Sequence, residues 1–314
     1  MNWSGALVEA RTPILVGPTG IGKTAVALAL AAIWDLEVVS ADSRQVYRGL
    51  DISTAKPTPR ERQRVPHHLL DIIRPGERYS AGRFAVEAAE AIAAIRVRSR
   101  QAIVVGGTGL YIKALVHGLF AEPPLDRPRR EQMTAVTAAM DHPTLVRWAA
   151  RLDRAFSGGG GRHRAARAIE IAMLTGYPLS WWQRSAAVEG SVRPWIVRLT
   201  APRPILHQRI QARTEEMVRR GLVEEIATAL AEGAPSHGAG MDGVGVREAV
   251  AVLHGVMARE SLVDAIATST RQYAKRQETW FRHQLGGDVL TLDATRPPEQ
   301  VAAAIAAAWE QTAA

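Results

Sequence analysis

Cysteine is absent from the 314 residues. That excludes disulfides, thiolate nucleophiles and cysteine-ligated metals, and it fits a reducing compartment. No apolar run is long enough to span a bilayer, so no membrane partner is expected. The opening stretch MNWSGALVEARTP includes an acid and has neither a basic start nor a sustained apolar core, so it does not read as a secretory signal. Internal repeats are lacking too. Negative charge is the scarcer sign: 31 acidic residues against 39 basic ones give a formal charge of +8, and Arg dominates the basic set. Guanidinium groups grip phosphate through a rigid donor fork, which points to a polyanionic partner; a solvated basic surface is the alternative that charge alone leaves open.

With 47% hydrophobic residues, the chain can bury one substantial core plus a smaller inserted module. Short β-branched runs at residues 14–17 (ILVG), 37–40 (EVVS) and 102–105 (AIVV) alternate with helical stretches. One such helix starts near Thr24; another, capped by Ser80, carries Phe84, Ala88, Ile92 and Ile95. The alternation predicts an α/β fold with a mostly parallel sheet, whose ligands lie beyond the carboxyl ends of its strands.

From residue 121 to 193 strand-like runs vanish, and Ala/Arg-rich helical segments surround the run Gly158-Gly159-Gly160-Gly161. This segment reads as an all-helical module inserted into a core made of residues 1–120 and 194–314. Beyond it come a strand at 195–199, one helix through Ile210, Met217 and Ile226, and a Gly-rich loop at 232–245. A long helix from Leu262 to His283 with Ser261 as its cap, a strand at 289–292 and an Ala-rich helix complete the chain. Trp181-Trp182 reads as core packing, and His67-His68 lacks the company of a zinc site.

The strongest local signal is Gly17-Pro18-Thr19-Gly20-Ile21-Gly22-Lys23-Thr24. It fits G-x-x-x-x-G-K-[ST] between a buried strand and a helix, the setting of a P-loop. Its glycines let successive backbone N–H groups converge on an anion, Lys23 supplies mobile positive charge, and the Thr24 hydroxyl is the candidate Mg²⁺ ligand. Such a loop identifies a phosphate chain, not a particular nucleotide. The strand at 102–105 ends in Gly106-Gly107-Thr108, without the acid that usually helps a nucleotide triphosphatase hold its metal, which leaves room for a diphosphate. A P-loop nucleoside or metabolite kinase and a non-catalytic RNA-binding protein are the competing readings.

Further blocks follow in order: ADSRQVYRGLDISTAKP (41–57), PHHLLDI (66–72), YSAGRF (79–84), VGGTGLYIKAL (105–115), RAARAIEIAMLTG (164–176), GVGVREAV (243–250) and TRQYAKRQETWFR (270–282). Together with the P-loop they resemble the tRNA dimethylallyltransferases, or tRNA isopentenyltransferases, over nearly the whole chain. The resemblance implies a P-loop NTPase-like core and a helical insertion that grasps the tRNA anticodon stem-loop. It also implies Mg²⁺-dependent transfer of a dimethylallyl group from dimethylallyl diphosphate to N6 of adenosine 37, in a cytoplasmic monomer. The sequence departs from the family pattern at Ser53, where Asp-Ile-Gly is usual. It departs again at Gly158–Gly161 with Arg162-His163, and at Val244-Gly245-Val246, where an aromatic ring is lost.

By the same resemblance Asp42 is the acceptor of the amino proton, a role suited to a carboxylate that directly follows a strand above the phosphate loop. Thr108 lies near the diphosphate and the reacting nucleotide, while Arg213 joins Lys23 in holding the leaving group. Ser43, Arg44 and Gln45 meet the RNA beside Asp42, with Gln45 suited to reading a base. Arg130, Arg164 and Arg167 in the insertion, and Arg271 and Lys275 on the late helix, are candidate tRNA contacts. Arg147, Arg151 and Arg154 recur on one side of an insertion helix and extend the basic surface, as does Arg282 on the late helix.

Overall fold

The computed structural model describes residues 11–120, 123–185 and 189–313. The amino-terminal stretch read above for a signal therefore lies largely outside the described residues, as do the first two residues of the expected insertion. The chain divides into two compact units, residues 1–116 with 191–314 and residues 117–190.

The first unit is built on β1 (Arg11–Val16), β2 (Leu36–Ala41), β3 (His67–His68), β4 (Gln101–Gly106), β5 (Arg193–Thr200) and β6 (Val289–Asp293). They form one sheet in the order β3-β2-β4-β1-β5-β6, with every pairing parallel. Strands β1, β2 and β4 are buried almost throughout because helices cover both of their faces. One face packs Leu15, Val38, Ile103 and Val197 against helix residues such as Leu30, Leu206 and Ile305. Alternate residues Ile14, Val16, Val39 and Val104 turn the other way and are equally buried. The two-residue β3 was missed by the sequence reading. Its His68 pairs with the buried Glu37 carboxylate at 2.6 Å, which Arg98 also engages at 2.7 Å.

The helices of this unit are α1 (Lys23–Leu30), α2 (Pro59–Arg64), α3 (Ala81–Val97) and α4 (Gly109–His117). Those of the inserted unit are α5 (Arg127–Ala138), α6 (His142–Leu152), α7 (Gly161–Thr175) and α8 (Leu179–Ser185). The first unit resumes with α9 (Arg203–Arg219), α10 (Leu222–Ala231), α11 (Val246–Leu253), α12 (Leu262–Gln284) and α13 (Pro298–Ala313). Ser80 caps α3 by accepting the Arg83 N–H at 3.1 Å. Ser261 stands at the start of α12 but makes no capping bond; a 3-10 turn over Arg259–Ser261 leads into the helix instead. The single helix expected through Ile226 is two, α9 and α10, because Gly221 at φ 96° takes a left-handed angle that breaks the ladder. A second apolar cluster joins Val46, Leu50 and Ile73 to α10, α11 and the start of α12. It holds the segment that follows β2 in a fixed place.

The inserted unit closes on Leu145, Ala149, Ala165, Ala168 and Ile169. Asp153 ends α6 and accepts the Ser180 N–H at 2.8 Å and its hydroxyl at 2.7 Å. Arg154 consequently lies past the helix that carries Arg147 and Arg151. Trp181-Trp182 does not act as a uniform core pair. Trp182 packs inward and donates to Thr175 Oγ1 at 3.1 Å, whereas Trp181 is 36% exposed and stacks on Tyr177 at 4.4 Å. Among the described residues no helix is long and apolar enough to cross a membrane.

Candidate active site

Strand β1 is flanked by β4 on one side and β5 on the other, so the loops leaving its carboxyl end open into the crevice where the sheet's connectivity diverges. The P-loop occupies that end. Lys23, at the first turn of α1, donates from Nζ to the carbonyls of Gly17 (2.8 Å) and Pro18 (2.9 Å). Burial pushes its ammonium down to about 8; Asp42 opposes the shift and Arg213 adds to it. Burial lowers Arg213 also, again against Asp42. A carboxylate from the end of β2 and cations from α1 and α9 therefore share one electrostatic environment.

A cleft of about 420 Å³ contains all three, together with Thr19 and Gly20 of the P-loop. Five cations (Lys23, Arg44, Arg213, Arg247 and Arg276) line it against two carboxylates, Asp42 and Asp242. This imbalance suits an anionic ligand. Asp42 and Lys23 also line a smaller adjoining cavity of about 40 Å³ with Thr24, Gln45 and His67.

The cleft floor is stitched from three strand ends. Asp42 Oδ1 accepts the Arg44 N–H at 2.8 Å, and Thr108 Oγ1 accepts the Ser43 N–H at 2.9 Å. Thr108 N–H in turn donates to Ala41 at 3.2 Å. Gln277, buried on α12, accepts the Thr19 N–H at 2.8 Å and donates to the Gly107 carbonyl at 2.8 Å, tying the P-loop to the Gly-Gly-Thr turn. A Cβ at Gly107 would lie 2.4 Å from Gln277 Nε2, so this close approach requires glycine. We expect Gln277→Leu to leave the half-buried Thr19 N–H and the buried Gly107 carbonyl unpaired, at about 1–3 kcal/mol for the carbonyl and less for the N–H. Denaturant unfolding of the two proteins, compared at equal slope, measures that loss.

The sequence reading placed Lys23, Thr24, Asp42, Ser43, Arg44, Thr108 and Arg213 near one another, and the structure brings them to the cleft, its floor or the small cavity. The Gln45 amide nitrogen donates to Thr54 (3.4 Å) and Ala55 (3.3 Å), and its oxygen accepts from Ser40 (3.2 Å), so it buttresses the 50–55 loop. Arg130 and Arg167 form ion pairs with the buried Glu170 at 2.7 and 2.6 Å, while Arg164 is exposed. On α12, Lys275 and Arg282 are exposed and Arg271 is half-buried. The cleft-lining residues of that helix are instead Thr270, Tyr273, Arg276 and Gln277. Tyr273 lies under the Arg276 guanidinium at 5.7 Å and has its phenol pushed up to about 12 by burial and by Asp42.

Lys56 was also missed. Its buried ammonium binds the Tyr47 carbonyl at 2.6 Å, Asp51 at 2.8 Å and Asp71, which pins the loop after Asp42. The signal for Gln277 and Lys56 is faint in one dimension: each sits among other polar or small residues, and its partners are set by the fold.

The family model of the IPP transferases matches residues 45–284, about three quarters of the chain. The chain belongs to the IPP transferase family. The tRNA dimethylallyltransferase of Halorhodospira halophila is 43% identical over 289 residues, covering 89% of this chain and 92% of that protein. That of Syntrophobacter fumaroxidans is 40% identical over 279 residues, 88% and 82% of the respective chains. Among solved structures, the full-length tRNA isopentenylpyrophosphate transferase of Bacillus halodurans superposes with a TM-score of 0.69 at 32% identity, covering 96% of this chain and 98% of its own. A eukaryotic dimethylallyltransferase acting on tRNA gives 0.77 at 27% identity, over 96% and 80%. As an IPP transferase, the chain is an enzyme of the prenyl-transferring class, and its P-loop sits in a fold shared with these enzymes.

Proposed function

We propose that this IPP transferase moves a dimethylallyl group from dimethylallyl diphosphate to N6 of adenosine 37 in the tRNA anticodon loop, giving N6-isopentenyladenosine and diphosphate. The observation that carries the reading is one cleft holding the Asp42 carboxylate beside the half-buried Lys23 and Arg213. The exocyclic nitrogen of adenine is a poor nucleophile because its lone pair is delocalised into the ring. As the N–C1 bond forms and the C1–O bond to diphosphate breaks, the amino proton passes to the Asp42 carboxylate. Lys23 and Arg213 meet the charge that grows on the departing diphosphate, where burial strengthens each interaction. Ile210, Met217 and Ile266 give the cleft an apolar wall that limits access of water to the allylic carbon.

The donor set fits Mg²⁺. Thr24 and Asp42 line the same small cavity, and no cluster of three metal-ligating side chains occurs among the described residues. Few protein ligands suit an ion held mostly by phosphate oxygens and water. The Thr24 hydroxyl would hold it, and when bound the ion would neutralise charge on the diphosphate.

An acceptor base must leave its stack to reach Asp42, which costs least in an unpaired loop. The inserted helical unit, with exposed Arg147, Arg151, Arg154 and Arg164, supplies a basic surface for the stem of such an RNA. Replacing Arg147, Arg151 and Arg154 together by Ala should weaken tRNA binding and reduce the slope of log affinity against log salt by roughly 2. An unchanged slope would show that these arginines do not touch the RNA backbone. Mass spectrometry of tRNA nucleosides after incubation with dimethylallyl diphosphate tests the whole reading. A five-carbon addition at adenosine 37 is expected. Phosphorylation of a small acceptor by ATP without RNA labelling would instead indicate a P-loop kinase.

A further inference from the structure

Ser53 is only 7% exposed, and its Oγ has no hydrogen-bond partner among the described residues. The residue nevertheless lines the same cleft as Asp42, Arg44, Asp242 and Arg247. Its backbone is firmly held. Glu225 on α10 accepts the N–H groups of Asp51 (2.7 Å), Ile52 (2.6 Å) and Ser53 (2.9 Å). The left-handed angle of this loop falls at Ala55, with φ 47°, and not at Ser53. Ser53 therefore neither makes the turn nor caps a helix. Its hydroxyl is a buried polar group without a structural task, and such a group is destabilising unless something supplies a partner.

We propose that Ser53 positions the RNA: its hydroxyl donates a hydrogen bond to an oxygen of the acceptor strand, a phosphodiester or ribose oxygen, when that strand enters the cleft. The inference rests on the reading of this cleft as an RNA prenyltransferase site. Ser53 neighbours the loop that leads into α11. The Ser53 carbonyl lies 3.8 Å from where a Cβ on Gly245 would stand, and the adjoining Gly243 lies against Arg44, which pairs with Asp242. The P-loop end has its own cations in Lys23 and Arg213. The contact requires a rotation about χ1, between staggered wells, that brings the hydroxyl from the loop wall to the cleft. Glu225 keeps the loop rigid while that happens, so the contact is made by a pre-organised residue.

The test uses Ser53→Ala and Ser53→Gly in the full chain. It compares RNA dissociation constants, steady-state constants for anticodon stem-loop RNA and for dimethylallyl diphosphate, and melting temperature. Loss of the hydroxyl should raise both Kd and KM for RNA about fivefold, the yield of one ordinary hydrogen bond, and leave KM for the prenyl diphosphate in place. Ser53→Ala should at the same time melt higher than wild type, because the unpaired hydroxyl is gone. Stem-loops carrying 2′-deoxyribose or methylphosphonate at single positions then locate the oxygen: the responsible change weakens wild-type binding and does nothing further to Ser53→Ala. RNA constants within 1.5-fold of wild type in both variants, an order-of-magnitude threshold well below a hydrogen bond, would overturn the proposal. A wild-type protein that binds RNA but transfers no prenyl group would refute the proposed function, while the binding ratio still decides the role of Ser53.

Discussion

Replacing Asp42 by Ala should reduce the single-turnover rate of prenyl transfer on the order of 10²–10⁴-fold, the usual range for a general base. The measurement needs saturating tRNA and prenyl diphosphate, so that only the chemical step is read. Binding of the diphosphate should not suffer. The Asp42 carboxylate stands close enough to Lys23 and Arg213 to influence both, and its removal takes a negative charge away from an incoming anion. Loss of rate without loss of donor affinity separates proton acceptance from a purely structural task. Asp42→Asn adds a second discrimination, because the amide keeps the size of the side chain that accepts the Arg44 N–H at 2.8 Å. Single-turnover rates near wild type in both variants would exclude Asp42 as the base.

Lys23→Ala should weaken the donor side instead. Removing a cation aimed at developing charge typically lowers turnover by about 10²–10³-fold, and here the affinity for dimethylallyl diphosphate falls with it. The pH dependence supplies an independent signature. With its ammonium pushed down to about 8, Lys23 in the free enzyme is charged below that pH and loses its proton as pH rises through it. In wild type, kcat/KM for the prenyl diphosphate should therefore fall above about pH 8, and the limb should vanish in Lys23→Ala. An unchanged donor dissociation constant and turnover in the variant would show that Lys23 is not part of the phosphate grip.

Much of this site was legible in one dimension because its central residues follow strands directly. The P-loop leaves β1, Asp42 leaves β2 and Thr108 follows β4, so parallel strand order alone gathers them at one edge. What sequence could not supply is set by distant pairing. Gln277 meets Thr19 across 258 positions, and Glu225 meets Ile52 across 173. No local periodicity reveals such partners. Tyr273 and Arg276 line the cleft from α12 without having been singled out for it, since a helix wheel ranks charge but not the direction of the site. Nor did the sequence show that the Gln45 amide is bonded to Ser40, Thr54 and Ala55. The single helix expected through Ile226 failed on one residue, Gly221, whose left-handed angle outweighs the apolar spacing on both sides.

The placement of β1 between β4 and β5 also dictates an order of events during synthesis. A ribosome that has finished β4 has already made the phosphate loop and Asp42, yet β1 still has one open edge until residues 193–200 emerge. At ordinary elongation rates that wait lasts on the order of ten seconds. The helical unit is translated within the interval and has an apolar cluster of its own on which to fold. Prematurely terminated chains would thus carry the recognisable phosphate motif with an unpaired, apolar strand beside it, a species for chaperones to shield and not a partial enzyme.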